Sequence, residues 1–102
     1  MFTLSTPAQQ EIDSIVDTAK ADLPFVRSIF WECAQDWSGD WALFFRIVLS
    51  DAAVRSRNRH KMTDQVRQNL IEKVKPQERG FLAYFSFRGQ SEQKALQEDV
   101  WM

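Results

Sequence analysis

The ten residues Trp41-Ala-Leu-Phe-Phe-Arg-Ile-Val-Leu-Ser50 carry the strongest strand signal in the chain. Successive side chains of a strand point to opposite faces of the sheet. One face of this segment is therefore apolar throughout, from Trp41 to Leu49 in steps of two. The residues of the other face are Ala42, Phe44, Arg46, Val48 and Ser50. The pattern predicts a strand whose first face packs on the hydrophobic core.

Two further strands are predicted on either side of this segment. Residues 25–34 mix aromatic and β-branched side chains, and the short turn 36–40 joins them to Trp41, so the two strands should form an antiparallel hairpin. Residues 80–88 alternate again. One face of this third strand holds Phe81, Ala83, Phe85 and Phe87, and the other holds Leu82, Tyr84, Ser86 and Arg88.

Apolar residues at helical spacing predict two amphipathic helices. The first covers residues 7–21, with Thr6 as the N-cap and Gln9 closing a capping box back onto it. The second covers about residues 64–74 and begins after Thr63 as its cap. Each helix ends before a proline, because the residue that precedes proline is disfavoured in helical geometry.

Two remaining segments are less strongly patterned. Residues 51–61 are polar and basic, and are consistent with either a loop or a one-turn helix. The segment from Ser91 to Asp99 is consistent with a short helix, and Trp101 follows it as a final apolar anchor.

The order of elements predicts an α+β fold. Two helices with one apolar stripe each cannot cover both faces of three strands, so both should pack on one face of a mixed sheet in a two-layer sandwich. The helix between the second and third strands predicts a parallel, right-handed crossover, which places the third strand beside the first or the second. Residues 1–102 should form one domain, with its core in residues 7–88 and a tail at 89–102.

This α-β-β-α-β(-α) order resembles the type II KH fold and the cytoplasmic domain of cation-efflux transporters over residues 7–88. The Gly-rich loop of the KH family has no counterpart, because Gly39, Gly80 and Gly89 are the only glycines and none interrupts the second helix. The metal ligands of the transporter domain form no recognisable cluster here. The resemblance therefore implies a layout, with a ligand- or metal-responsive sensor as one functional alternative.

Composition excludes several classes of protein. The chain has one cysteine, Cys33, and one histidine, His60, so an intrachain disulfide is impossible and a zinc site would need carboxylates. The longest apolar run, Trp41 to Phe45, is far shorter than the roughly 20 residues that span a bilayer. No nucleophile with a hydrogen-bonded base is visible. We expect a cytoplasmic protein that is not an enzyme, binds no cofactor and does not enter a membrane.

The second face of the predicted sheet is left without a covering layer. Its candidate interface residues are Phe44, Arg46, Val48, Leu82, Tyr84 and Arg88. Apolar surfaces of this kind mark interaction sites. We expect a homodimer that stacks two such faces, with a carboxylate or carbonyl of the partner satisfying Arg46. A different protein partner, or bases stacked on Phe44 and Tyr84, are the alternatives, and a C-terminal tail folded over the face would remove the need for any partner.

A basic segment offers a second candidate surface. It runs Arg55-Ser-Arg-Asn-Arg-His-Lys61, and its potential contacts to nucleic acid are Arg55, Arg57, Arg59, His60 and Lys61. The chain has a net charge of −1, but residues 1–50 carry three basic and seven acidic side chains, whereas residues 51–80 carry eight basic and four acidic ones. Such asymmetry suits either phosphate binding or contacts between protomers. The sequence favours a regulatory or interaction module that self-associates, with RNA or DNA binding as the alternative.

Overall fold

The computed structural model describes residues 4–96 and has the predicted α+β architecture. Its elements are α1 (Thr6–Asp22), β1 (Val26–Gln35), β2 (Trp41–Leu49), α2 (Asp51–Arg55), α3 (Arg59–Val74), β3 (Leu82–Gly89) and α4 (Gln90–Leu96). A 3₁₀ turn, Gln77–Arg79, leads into β3.

The strand predicted from residues 41–50 is the centre of the sheet. β1 and β2 pair antiparallel, with Trp31 opposite Phe45, and β2 and β3 pair parallel, with Phe85 on the other side of Phe45. The strand order is β1-β2-β3. Both the hairpin and the parallel crossover are confirmed, and β3 lies beside β2.

The core lies between one face of the sheet and the helices α1 and α3. β2 contributes four fully buried side chains, Leu43, Phe45, Ile47 and Leu49. They pack with Ile12, Val16 and Ala19 of α1 and with Val66, Leu70 and Val74 of α3. The indole N–H of Trp31 also donates to Asp13 Oδ1 at 2.7 Å and ties α1 to β1. Both helices therefore lie on one face, as predicted.

Both helices begin earlier than predicted. The N-cap of α1 is Ser5, whose Oγ accepts a hydrogen bond from the Ala8 N–H at 3.3 Å, and the Gln9 side chain donates to the Leu4 carbonyl instead of closing a box onto Thr6. α3 begins at Arg59, so Thr63 is inside the helix, where its hydroxyl donates to the His60 carbonyl at 2.9 Å. A threonine hydroxyl satisfied within the helix has no need to act as a cap.

The ends of β3 also differ from the prediction. Gly80 ends the 3₁₀ turn with a φ of 85°, a left-handed conformation that glycine adopts without a steric penalty. The strand therefore starts at Leu82 instead of Gly80. The tail forms the short helix α4, one residue earlier than predicted, whereas Trp101 lies outside the described residues. Among residues 4–96, no helix is long and apolar enough to cross a membrane.

Candidate interface on the open sheet face

We call the sheet face opposite α1 and α3 the open face. The strand registers place on it Ser28, Phe30, Glu32 and Ala34 of β1, Ala42, Phe44, Arg46 and Val48 of β2, and Leu82, Tyr84, Ser86 and Arg88 of β3. All six residues predicted for the interface therefore share one face. The aromatic rings of Phe44 and Tyr84 stack at the centre of this face, with their centroids 5.2 Å apart.

The turn between β1 and β2 folds onto the open face and extends its aromatic cluster. The Tyr84 hydroxyl donates to Asp36 Oδ2 at 2.7 Å, and the Trp37 ring lies 5.2 Å from the Tyr84 ring. The other carboxylate oxygen, Asp36 Oδ1, accepts from Ser38 N–H at 2.9 Å, from Ser38 Oγ at 2.8 Å and from Asp40 N–H at 3.0 Å. The two oxygens of one buried carboxylate therefore hold the turn in place, one bound to β3 and the other to the turn itself.

These hydrogen bonds change the protonation equilibria of the pair. The Tyr84 hydroxyl, then the Ser38 hydroxyl, stabilise the charged carboxylate and lower the pKa of Asp36 to about 2. The same bond raises the pKa of Tyr84 above its ordinary value, because Asp36 accepts the phenolic proton. At neutral pH the pair is a carboxylate and a neutral phenol, which keeps the turn against β3.

Sequence reasoning missed Asp36 and Trp37 as members of this surface and treated residues 36–40 only as a connector. A signal was available, because an aspartate followed by serine two residues later is typical of an Asx turn. The contact with Tyr84 spans 48 residues of sequence, however, and depends on the parallel placement of β3.

Arg46 has its carboxylate partner within the chain. It forms an ion pair with Glu32, which lies on the same face of β1 and diagonal to it in the register. The expectation that a second protomer would satisfy Arg46 is therefore wrong. Long side chains on neighbouring strands reach such diagonal positions readily.

One end of the open face is closed by the chain itself. α4 packs against β2 and β3, Arg88 donates to the Gln93 side chain, and Val48 is only 3% exposed. Asp51 anchors this helix by accepting hydrogen bonds from both the backbone N–H and the hydroxyl of Ser91. The Ser91 hydroxyl is the main reason that the pKa of Asp51 is lowered. Of the six predicted residues, Val48 and Arg88 thus lie beside α4.

The rest of the open face is apolar and accessible. Phe30 is 53% exposed, Leu82 is 42% exposed and Trp37 is 82% exposed, around the half-buried pair Phe44 and Tyr84. The charged groups on this face are Glu32, Arg46 and Arg88, and the turn adds Asp36 and Asp40, so the net charge is only −1. The arrangement suits contact with another apolar, uncharged surface.

The basic segment, expected as a loop or a one-turn helix, runs from the end of the short helix α2 through a turn into the start of α3. Arg55 ends α2, Arg57 lies in the connection, and Arg59, His60 and Lys61 form the first turn of α3. All five side chains are exposed. The first turn of α3 contains no acidic residue, and Asn58 makes no side-chain cap. The three arginines thus lie on two different helices and the turn between them, and they do not share one face of an extended segment.

Among residues 4–96, the lone cysteine provides no second candidate site. Cys33 lies half-buried on the helix side of β1, where burial raises the pKa of its thiol. Within the part of the chain that the structure describes, no three histidine, cysteine or acidic side chains are grouped so that they could hold a metal ion.

Comparison with known proteins places the fold but not the family. No protein-family model and no curated protein sequence matches the chain. A MamM C-terminal domain in a copper form is 16% identical with a TM-score of 0.54, over 82% of this chain and 84% of that domain. A variant of the same domain is 14% identical with a TM-score of 0.56, over 84% and 96% of the two chains. A further MamM variant is 16% identical with a TM-score of 0.55, over 84% and 100%. At such identities the likeness shows a shared fold.

Proposed function

We propose that this protein is a non-enzymatic interaction module that self-associates by stacking the open faces of two copies. The observation that carries the proposal is the exposure of Phe30, Leu82 and Trp37 around the stacked rings of Phe44 and Tyr84. Each large apolar side chain taken out of water contributes about 1.5–3 kcal/mol, reduced here to the extent that it is already buried. A monomer would leave this contribution unused.

The electrostatics of the open face favour a second copy over a polyanion. Its charged groups nearly balance, and Arg46 is already paired with Glu32, so two such faces meet with little net repulsion. A contact of a surface with its own copy is isologous, the commonest arrangement among homo-oligomers. Nucleic acid would instead meet a face with no excess of positive charge.

The size of the open face predicts a weak dimer. Three strands about 4.8 Å apart and about nine residues long define an area of roughly 30 by 15 Å, before the contribution of the turn. Stable interfaces bury about 800 Å² on each partner. We therefore expect a dissociation constant in the micromolar range, so that association responds to protein concentration, as suits a regulatory module.

The test is sedimentation velocity of the full chain and of a Phe30→Glu/Leu82→Glu variant, from about 1 to about 200 µM. We expect the wild-type chain to shift from monomer to a larger species, and the variant to associate at least about tenfold more weakly, because each glutamate would have to lose its hydration in the contact. The control is Gln10→Glu/Gln68→Glu, which adds the same charge at two exposed helical positions.

Three results would overturn the proposal: a wild-type chain that is monomeric throughout, a variant that associates as well as the wild type, or a control that is weakened equally. A monomeric chain that binds RNA or DNA at low salt, and loses that binding when Arg55, Arg57 and Arg59 become alanine, would instead assign the function to the basic segment.

A further inference from the structure

The two outer edges of the sheet differ in how they are protected against pairing with another strand. The edge formed by β1 carries a β-bulge between Val26 and Ser28, an exposed Arg27 within it, and Glu32 further along. Bulges and charges are the devices by which natural proteins keep an edge strand from adding a further strand. The β1 edge is therefore protected against pairing with a further strand.

The edge formed by β3 has none of these devices over six residues. Residues 82–87 read Leu-Ala-Tyr-Phe-Ser-Phe, with no charge, proline or glycine, and their pairing with β2 shows no irregularity. Such segments have a strong tendency to form additional β-pairings. Because only the β1 edge is protected in this way, the β3 edge is the candidate for pairing with a further strand.

The backbone of this edge is also free to pair. Within residues 4–96, the main chain of residues 82–87 makes hydrogen bonds only to β2. The helices α2 and α4 do not cover this stretch, because they pack at the C-terminal end of β3, near Gly89. An edge strand keeps half of its N–H and C=O groups pointing outward.

Apolar side chains border the edge on both sides. On the helix side, a groove of about 300 Å³ is lined by Ile71, Pro76, Gln77 and residues 82–85. Ile71 of α3 is 45% exposed there, and Leu82 is exposed on the open face. A strand added to β3 would cover apolar surface as well as satisfy backbone groups.

We infer that β3 pairs antiparallel with β3 of a second copy, centred on Phe85. In this register Phe85 lies opposite its own copy, Ala83 lies opposite Phe87, and Tyr84 lies opposite Ser86. A large side chain thus meets a small one at each position beside the centre, and no like charges face each other from 83 to 87. The self-complementary pattern and the absence of charge select a second copy as the occupant.

This contact is separate from stacking of the open faces and does not depend on it. Edge pairing extends the sheet to six strands, whereas stacking places two sheets face to face. The two contacts share Leu82 and Tyr84 of β3, but Ile71, on the helix side of the sheet, belongs to the edge contact alone, and Phe30 of β1 belongs to face stacking alone.

Amide hydrogen exchange of the full chain, resolved by residue in NMR, tests the inference. At a concentration where sedimentation shows association, we expect the outward amides of residues 83–87 to exchange at least about tenfold more slowly than on dilution to monomer. The outward amides of β1 are the internal control and should not change. Ile71→Glu should abolish the slow exchange in β3 and weaken association, while Gln10→Glu should leave both unchanged.

The outcomes separate this contact from face stacking. Edge pairing would be overturned if the outward amides of β1 and β3 were protected from exchange equally, or if those of β3 were unprotected in an associated chain. Face stacking would stand in either case. Loss of the β3 protection in Phe30→Glu would also overturn it, since that side chain is two strands away. Protection confined to β3 in a chain whose association survives Phe30→Glu, which leaves β3 intact, would support edge pairing and contradict face stacking.

Discussion

β2 presents one wholly apolar and one largely apolar face to two different environments. On the helix side, Leu43, Phe45 and Ile47 are fully buried by α1 and α3. On the open face, Phe44 and Arg46 are half-buried, and within residues 4–96 the chain covers only the ends of the strand, next to the turn 36–40 and next to α4. Hydrophobicity along the strand therefore does not decide burial. The number of helices available to cover the sheet decides it.

The sharpest test of this difference is a pair of adjacent truncations. Phe45→Ala removes a ring that is stacked on Phe85 in the closed core, and should lower the free energy of unfolding by about 3–5 kcal/mol. Phe44→Ala removes a ring of the same size from the open face and should cost clearly less, about 1–2 kcal/mol, because water already reaches that ring. Urea denaturation at low micromolar concentration measures both.

Equal losses for the two variants would contradict the contrast, because they would mean that the open face is as closed as the core. A Phe44→Ala loss that grows with protein concentration would sharpen it, since part of the burial of Phe44 would then come from a second copy.

Acid should act on the turn that folds over the open face. The pKa of Asp36 is lowered from 3.8 to about 2 in the folded chain. The charged carboxylate therefore stabilises the fold fully at pH values above its pKa in the unfolded chain, and this stabilisation is lost as the pH falls from about 4 through about 2. Asp36→Asn should therefore melt at a lower temperature than the wild type at pH 6, and the two should converge near pH 2. Thermal melts followed by circular dichroism across this range provide the measurement.

Tyr84→Phe is the matched variant for this prediction, since it keeps the ring on Phe44 and removes only the donor to Asp36. It should raise the pKa of Asp36 and move the loss of stability to higher pH. A difference between wild type and Asp36→Asn that persists unchanged at pH 2 would show that the charge of Asp36 is not what holds the turn.

The sequence was sufficient for the elements that depend on periodicity. The alternation from Trp41 to Leu49 identified the central strand and the face that it buries, and two apolar stripes were enough to place both helices on one side. Helix starts were less predictable, because Ser5 and Thr6 are both suitable caps and Thr63 is satisfied within α3. In each case the choice depends on where the preceding chain runs.

The candidate site shows the same division. Its six predicted residues follow from the period of two, and the register brings them to one face. The contacts that depend on tertiary placement were missed: the ion pair of Arg46 with Glu32, the turn held by Asp36, and the closure of one end by α4. Strand pairing and the path of the tail determine these contacts, and the local hydrophobic pattern of the sequence predicts neither.

The smallest expected effect concerns the charge balance of the open face. Glu32→Gln removes the partner of Arg46, but half of the Glu32 side chain is exposed, so the free energy of unfolding should change by about 0.2–1 kcal/mol.

Asp64→Asn, which breaks the exposed pair with Arg67 on α3, is the matched control of the same type. Both variants lose one negative charge and leave an arginine unpaired, but only Glu32→Gln does so on the open face, where two copies would meet. It should therefore weaken association in sedimentation while Asp64→Asn does not, and the effect should shrink in high salt, which screens the repulsion between the unpaired Arg46 side chains of two copies. Equal association of the two variants would mean that the faces do not approach each other near Arg46, and would confine any contact to the rim formed by Leu82 and Trp37.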